Sequence, residues 1–323
     1  MSTSSLIIEK GKLNRMISIA MTTYNGEKYI CEQLDSILNQ TYSNFELIIS
    51  DDCSKDSTWQ ILEDYANRDM RIKIYKNEYN LGFKKNFEKA ISLCSAEYIA
   101  LSDQDDIWLE NHLDILYKNI NEKSMSAGNT LILENGKIVP GASYSKRYEF
   151  YKLGSNSDLF TFIMFFHSPC QGASSLYRKD LLKKALPIPD DVLYHDAWFS
   201  ACACCMNGVG YTFEPISIYR LHGKNASGKH ENRTLLRRVK NFFEKEVFET
   251  DRFIYCEELG KRFPEANQDI KKIICDANTW YINKKNHKGK KNLFYFLKNY
   301  KRIYATDSIS LLFARLVSLV LKR

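Results

Sequence analysis

The chain has 323 residues, of which 44% are hydrophobic and 26% are charged. This composition is typical of a folded globular protein with a sizeable core, and it excludes a disordered chain. The net charge of +7 is uneven, because residues 1–228 sum to −4 and residues 229–323 to +11. A basic C-terminal third indicates an anionic partner, such as membrane lipid or nucleic acid, or else a solvated helical surface.

Cysteine spacing and hydropathy indicate the cellular compartment in which the protein is expected. Nine cysteines lie at irregular positions without a CxxC pair, which is typical of free thiols in a reducing cytosol. Cys202, Cys204 and Cys205 lie in an apolar run, so we expect a buried helix there rather than a zinc site. With no signal-peptide pattern and no stretch of 18 apolar residues, we expect a cytoplasmic protein without a membrane span.

After a polar leader over residues 1–15, buried strands alternate with amphipathic helices. The predicted strands are Met16–Met21, Phe45–Ser50, Ile72–Tyr75 and Tyr98–Leu101, and the predicted helices are Glu27–Gln40, a segment capped by Ser57 or Thr58 that runs to Arg68, and Lys84–Cys94. Alternation at this spacing predicts a parallel sheet with right-handed crossovers.

The rest of the chain is less regular. Strand-like and loop-like pieces mix over 131–177, a helix and two strands at Tyr211–Phe213 and Ile216–Tyr219 follow, and a basic helical pattern begins near 229. The predicted domains are therefore the leader 1–15, an α/β domain over 16–228 and a basic helical region over 229–323.

Polar clusters follow three of the predicted strands, at Thr22–Asn25, Asp51-Asp52 and Asp103–Asp106. Parallel sheets bind ligands at the carboxyl ends of their strands, so these clusters predict one site. Asp103 and Asp105 can bind a hard divalent cation such as Mg²⁺ or Mn²⁺, which prefers oxygen ligands. Alternatively, Asp105 or Asp106 caps a helix starting near Trp108.

The other candidate residues each have two interpretations. Asp51-Asp52 binds ribose hydroxyls or a base, or else forms a turn. Tyr24 stacks on a nucleobase or packs in the core. Asp196, after His195 and before an apolar helix, is a general base or a helix cap. The chain has neither GxGxxG nor GxxxxGK[ST], so carboxylates holding a metal are the favoured means of neutralising phosphates.

Taken together, several motifs resemble family 2 glycosyltransferases. Over residues 16–110 the matching segments are Ile19–Gly26, Gln40-Thr41-Tyr42, Ile48–Ser57, Asn80-Leu81-Gly82 and Ser102–Trp108. A looser match to the bacterial rhamnosyltransferase branch follows at Gln171-Gly172, Leu186–Pro189, His195–Trp198 and Tyr219–Asn225.

The resemblance implies a fold, a reaction and residue roles. The implied fold is GT-A, a Rossmann-like α/β mixed sheet flanked by helices, here with a helical C-terminal extension. The implied reaction is inverting, metal-dependent transfer of a sugar from a nucleotide diphosphate to a glycan or lipid-linked acceptor in capsule, O-antigen or cell-wall synthesis. The resemblance implies that Thr22, Tyr24 and Asp52 contact the base or ribose. It implies that Asp103 binds the donor and the metal, that Asp105 binds the metal and that His222 lies near the diphosphate or metal. Asp196 is implied as the catalytic base.

Several alternatives stay open at this point. The branch resemblance implies L-rhamnose from dTDP-rhamnose, but galactose, glucose or N-acetylglucosamine would suit the same scaffold. His195 stands where many relatives have Glu, which leaves its role open. A non-catalytic nucleotide-sugar-binding protein is less favoured because Asp103, Asp105 and Asp196 are all present, and no motif supports nucleic-acid binding. The apolar stripe with basic flanks over Thr306–Arg323 either lies at the inner face of the membrane or docks as a helix on the catalytic domain.

Overall fold

The computed structural model describes residues 15–143, 154–165, 168–222, 247–286 and 288–303. Contacts divide the chain into two compact units. The first comprises residues 1–144, 170–188 and 209–220, and the second comprises 145–169, 189–208 and 221–323. The leader 1–15 lies, but for Arg15, outside the described residues, as does Thr306–Arg323.

The first unit contains one mixed sheet. In the described part of the chain its strands are β1 (Ile17–Thr23), β2 (Phe45–Asp51), β3 (Ile72–Lys76), β4 (Tyr98–Ser102), β5 (Ile107–Trp108), β6 (Met125–Glu134), β7 (Lys137–Ser143), β8 (Ser175–Arg178) and β9 (Val209–Leu221). Their order is β3-β2-β1-β4-β8-β6-β9-β5, with β7 paired to β6. Strands β1 to β4 are parallel, as the sequence predicts, while β4 and β8 are antiparallel.

Three helices connect the parallel strands, namely α1 (Ile30–Leu38), α2 (Thr58–Arg68) and α3 (Phe83–Leu93). The first unit also contains α4 (His112–Ile120), which follows β5, and α6 (Lys179–Ala185), which follows β8. Every residue of β1 and β2 is buried, which explains why most of their residues are apolar. Their core includes Ile19, Leu34 and Leu47, none of which is exposed.

The second unit is helical within the described residues. Its helices are α5 (Asn156–Phe165), α7 (His195–Cys205), α8 (Val247–Arg262), α9 (Gln268–Lys285) and α10 (Leu293–Ile303). The rings of Phe165 and Trp280 lie 5.6 Å apart, and those of Trp198 and Tyr255 lie 5.3 Å apart. Helix α7 is buried from Ala197 to Cys205, so the prediction of a buried helix at the three cysteines is confirmed.

Three local predictions are wrong. The helix expected near Trp108 begins at His112, because Ile107–Trp108 pairs with β9 instead. Ser57 occupies the N-cap position of α2 but makes no capping hydrogen bond; the Asp56 carboxylate accepts one from the Thr58 amide at 3.0 Å.

The third concerns the strands expected at Tyr211–Phe213 and Ile216–Tyr219. They form one strand, β9, because the sheet pairs the segment continuously.

No described helix is long and apolar enough to cross a membrane.

Candidate active site

The carboxyl ends of β1, β2 and β4 lie side by side. Thr23 is in register with Asp51, and Met21 is in register with Ser102. The loops that follow these strands therefore meet at one edge of the sheet, and they carry Thr22, Tyr24, Asp52, Asp103 and Asp105. The structure brings these five predicted site residues together within the first unit.

Asp51 holds the turn that follows β2. Its carboxylate accepts hydrogen bonds from the Thr23 hydroxyl at 3.0 Å, the Ser54 amide at 3.0 Å and the Ser54 hydroxyl at 2.5 Å. Asp51 is completely buried. For this residue the turn interpretation agrees with the contacts.

Asp52 is equally well bonded. Its Oδ1 accepts from the Asn77 side chain at 2.8 Å and from the Leu81 amide at 2.7 Å, and its Oδ2 accepts from the Gly82 amide at 2.9 Å. Only 3% of the residue is exposed. Asp52 thus fixes the Asn80-Leu81-Gly82 loop at the rim of the predicted nucleotide site.

Tyr24 lies at the surface of this edge. Its side chain is 46% exposed, so the alternative of core packing is wrong. The loop that carries it is pinned to the loop after β2, because the Asn25 amide donates to Ser54 Oγ at 2.9 Å and the Gly26 amide donates to Thr58 Oγ1 at 2.8 Å. Thr22, by contrast, is 8% exposed.

Gln104 joins the Tyr24 loop to the acidic run. The Tyr24 amide donates to Gln104 Oε1 at 2.9 Å, and Gln104 Nε2 donates to the Tyr24 carbonyl at 3.0 Å. A Cβ at position 26 would lie 2.1 Å from Gln104 Oε1, so the bridge requires Gly26. The sequence alone does not reveal this bridge, since a glutamine between two aspartates carries no signal of its partner 80 residues away.

Asp106 is not a helix cap. It is 2% exposed, and its Oδ1 accepts from the Arg220 amide at 3.4 Å. Burial raises the pKa of its carboxyl well above the usual value, and the charges of Asp105 and Asp103 raise this pKa further. The three carboxylates are therefore close enough to repel one another.

Arg220 is a second site residue whose role the sequence alone does not reveal. Strand β9 pairs with β5 and so returns Arg220 to the acidic run. Its Nε donates to the Asp105 carbonyl at 3.1 Å, its guanidinium bonds to Glu32, and it lies 5.0 Å from the centre of the Tyr29 ring. Arg220 therefore brings positive charge to the run while leaving the carboxylates of Asp103 and Asp105 half-buried.

Asp196 and His222 belong to the second unit. Asp196 lies in the first turn of α7 behind the N-cap residue Tyr194, so the alternative of an N-cap is wrong. Its Oδ1 accepts from the Ala197 amide at 2.7 Å. Burial lowers the pKa of His195 to about 4, so this imidazole is neutral at pH 7. A common site that includes Asp196 and His222 stays a prediction.

The acidic run suits a divalent cation in its donor chemistry. Asp103 and Asp105 offer carboxylate oxygens, and the like charges around Asp106 would be relieved by a cation. No group of three or more His, Cys, Asp or Glu residues in the described ranges is arranged to hold a metal ion by itself. Two carboxylates are nevertheless a sufficient protein contribution for Mg²⁺ or Mn²⁺ when substrate phosphates supply further ligands.

Comparison with known proteins defines the family. The model of glycosyl transferase family 2 matches residues 18–186. An uncharacterized glycosyltransferase of Haemophilus influenzae is 31% identical over 238 residues, which cover 70% of this chain and 72% of the relative. The chain therefore belongs to glycosyl transferase family 2. The Escherichia coli enzyme named UDP-Glc:alpha-D-GlcNAc-diphosphoundecaprenol beta-1,3-glucosyltransferase WfgD is 36% identical over 144 residues, covering 44% of this chain and 56% of that enzyme.

Solved structures with the same fold complete the comparison. Staphylococcus aureus TarS 1–349 in complex with UDP-GlcNAc superposes with a TM-score of 0.58 at 22% identity, covering 83% of this chain and 72% of that one. The mannosyltransferase PcManGT of Pyrobaculum calidifontis, in complex with GDP-Man and Mn²⁺, gives 0.54 at 17% identity, covering 95% and 80%. The GT-A-like fold with C-terminal helices, predicted from the sequence, is confirmed.

Proposed function

We propose that the chain is a metal-dependent, inverting glycosyltransferase that moves a sugar from a nucleotide diphosphate to a growing polysaccharide or a lipid-linked saccharide. The observation that carries this proposal is the edge where Gln104 ties the backbone of Tyr24, whose side chain is exposed, to the acidic run that contains the half-buried Asp103 and Asp105. An aromatic face and a carboxylate pair at one strand-end edge suit a nucleobase and a diphosphate held through a cation.

Roles follow for the residues of this edge. Tyr24 stacks on the base, Thr22 and the Asp52-supported loop border the base and ribose, and Asp103 contacts the donor. Asp105, with Asp103, holds Mg²⁺ or Mn²⁺, which when bound neutralises charge on the departing nucleotide diphosphate. His222 is proposed beside the diphosphate or metal on the family resemblance alone.

Asp196 is proposed as the catalytic base. It removes the proton of the acceptor hydroxyl while that oxygen attacks the anomeric carbon, and the bond from that carbon to the diphosphate oxygen breaks. The donor sugar consequently inverts its configuration in a single displacement.

The proposed donor sugar is L-rhamnose, from dTDP-rhamnose, and it rests on the resemblance of the motifs at 171–225. Glucose is the second candidate, because the relative WfgD is named for transfer from UDP-Glc to a diphosphoundecaprenol-linked sugar. That name, together with those of the colanic acid and O-antigen relatives of E. coli, supports a lipid-linked acceptor in polysaccharide synthesis. We also propose peripheral membrane contact, which would bring the enzyme to such an acceptor.

A donor panel tests the proposal. The purified chain is assayed with dTDP-rhamnose, UDP-glucose, UDP-galactose and UDP-N-acetylglucosamine, with Mn²⁺ or with EDTA, and nucleotide diphosphate release is measured. We expect turnover of one donor that EDTA abolishes and Mn²⁺ restores. Turnover that is unchanged in EDTA would contradict the metal assignment, and the absence of turnover with every donor would contradict the proposed donor class.

A variant tests the base. Asp196→Asn should keep nucleotide affinity and lose transfer by about 10²–10⁴-fold, because only the proton acceptor is removed. Transfer at the wild-type rate would contradict the role of Asp196.

A further inference from the structure

Helix α10 has an inward face that is packed and an outward face that is apolar. Inward, the Tyr295 ring lies 5.4 Å from Phe165 and 5.9 Å from Trp280, and Phe296 is 4% exposed. Outward, Phe294 is 78% exposed and Leu297 is 55% exposed. These two residues are three apart, so they lie on one side of the helix.

The start of α10 is anchored to the helix before it. The Asn292 side chain donates to the Trp280 carbonyl at 2.9 Å and accepts from the Asn283 side chain at 2.8 Å. Asn292 is itself buried. The chain therefore holds Phe294 and Leu297 outward on a fixed support.

The sequence of this helix and its flanks is basic, and the Asp276 carboxylate lies near enough to Lys298 for the ammonium charge to lower its pKa against the effect of burial. From Ala277 to Thr306 the sequence has eight Lys and Arg residues and no Asp or Glu. Among those whose side chains the structure describes, Lys285, Lys288, Lys291 and Lys298 are exposed. An extended run of positive charge is thus interrupted by two outward apolar side chains.

We propose that this surface, defined by Phe294, Leu297, Lys291 and Lys298 and named here the α10 face, binds an anionic lipid bilayer. Exposed Phe and Leu beside lysines suit the membrane interface, where rings and branched chains enter the acyl boundary and ammonium groups contact lipid phosphates. A nucleic acid would satisfy the lysines but leave Phe294 and Leu297 in water. The surface lies in residues that the described helix positions, rather than in Thr306–Arg323.

Vesicle co-sedimentation tests the α10 face. The full chain is mixed with vesicles of phosphatidylcholine alone or of phosphatidylcholine with phosphatidylglycerol, and the bound fraction is measured. Each lysine near an anionic surface raises partitioning about fivefold, so Lys291→Gln with Lys298→Gln should weaken binding about 25-fold. Phe294→Ala with Leu297→Ala should weaken it at least about tenfold, because apolar burial is lost.

Matched controls are available in the first unit. Met70 and Ile138 are 93% and 45% exposed, and Lys118 and Lys183 are exposed lysines. Replacing the first pair with Ala, or the second pair with Gln, should leave vesicle binding unchanged. Thermal unfolding verifies that each variant folds.

Three outcomes would overturn the proposal. They are equal binding to neutral and anionic vesicles, wild-type binding by both α10-face variants, and equal losses in the control variants. The proposal rests on the proposed function only for its biological use. Because the assay contains neither donor nor acceptor, failure of vesicle binding is distinguishable from failure of the sugar-transfer activity, which the nucleotide-release assay measures separately.

Discussion

Two strand ends of the sheet carry adjacent aspartates and use them in opposite ways. After β2, the carboxylates of Asp51 and Asp52 are buried and each accepts three hydrogen bonds. After β4, Asp103 and Asp105 are half-buried and their charges raise the pKa of Asp106. The comparison teaches that acids at a strand end either build the loops through hydrogen bonds or gather negative charge at the edge of the sheet, and we propose that the latter arrangement binds the cation.

Within this comparison, the largest expected effect is the loss of transfer on replacing Asp105. Asp105→Asn should lower transfer by about 10²–10³-fold, because a proposed metal ligand is lost. Its unfolding temperature should stay constant or rise, since a like charge beside Asp106 is removed. Donor turnover and thermal unfolding are measured on the same preparation. A variant with normal turnover would place the cation elsewhere.

Asp52→Asn should give the opposite pattern in stability. An amide cannot accept all three hydrogen bonds, so we expect the free energy of unfolding to fall by about 2–3 kcal/mol. Urea titration followed by tryptophan fluorescence measures this change, with Asp105→Asn as the control. If Asp52→Asn leaves stability unchanged, the loop-building role of Asp52 is wrong.

Glu46, near the start of β2, extends the comparison to pH. Burial alone would raise its pKa, but hydrogen bonds from Lys73, Ser18 and Ser95 outweigh burial and lower the pKa to about 2. Because the folded-state pKa is depressed, this contribution to stability is full above the unfolded pKa of about 4.3 and is lost as the pH falls toward 2. Over that window we expect Glu46 to contribute about 3 kcal/mol.

The measurement compares wild type with Glu46→Gln. The difference between their free energies of unfolding should shrink as the pH falls from about 5 to about 2. A difference that stays constant with pH would show that the carboxylate charge is irrelevant.

The smallest expected effect concerns the Gln104 bridge between the Tyr24 loop after β1 and the acidic run after β4. Gly26→Ala should displace Gln104 and raise the KM for the donor about tenfold with less change in kcat, because Tyr24 is shifted from the acidic run. Gln104→Ala should act similarly. The double variant should be no worse than Gln104→Ala, since the clash is then absent. Additive effects in the double variant would refute the bridge.

The sequence was most informative where structure is local. Strands β1, β2 and β4 are short and mostly apolar, β3 alternates Ile with more polar residues, and amphipathic helices lie between them, so the sequence pattern predicts all four strands to within a few residues. The pairing of Ile107–Trp108 with β9 was not predictable, because a two-residue strand has no period and its partner lies more than 100 residues away. The prediction that Asp106 caps a helix is wrong for the same reason. Its carboxylate accepts from the Arg220 amide, and the sequence gives no sign that β9 returns to this place.

The site follows the same division. The strand-end position of Tyr24, Asp52 and the acidic run is visible in sequence, because it depends on where each strand stops. The hydrogen-bond partners of Asp52 are not visible in the sequence, since Asn77, Leu81 and Gly82 come from the loop after the next strand. The role of Gln104 is hidden for a similar reason, because its two hydrogen bonds reach backbone atoms that have no residue signature.

The Gln104 bridge also makes two distant positions dependent on each other during evolution. A side chain at position 26 and an amide reaching from position 104 occupy the same space, so a change at one constrains the change tolerated at the other. Across homologous chains, glutamine at the middle of the acidic motif should therefore occur together with glycine two residues after the tyrosine. Where that glycine is replaced, we expect a shorter residue in the middle of the motif. The identity of the residue between the two aspartates should therefore covary with the identity of the residue at position 26.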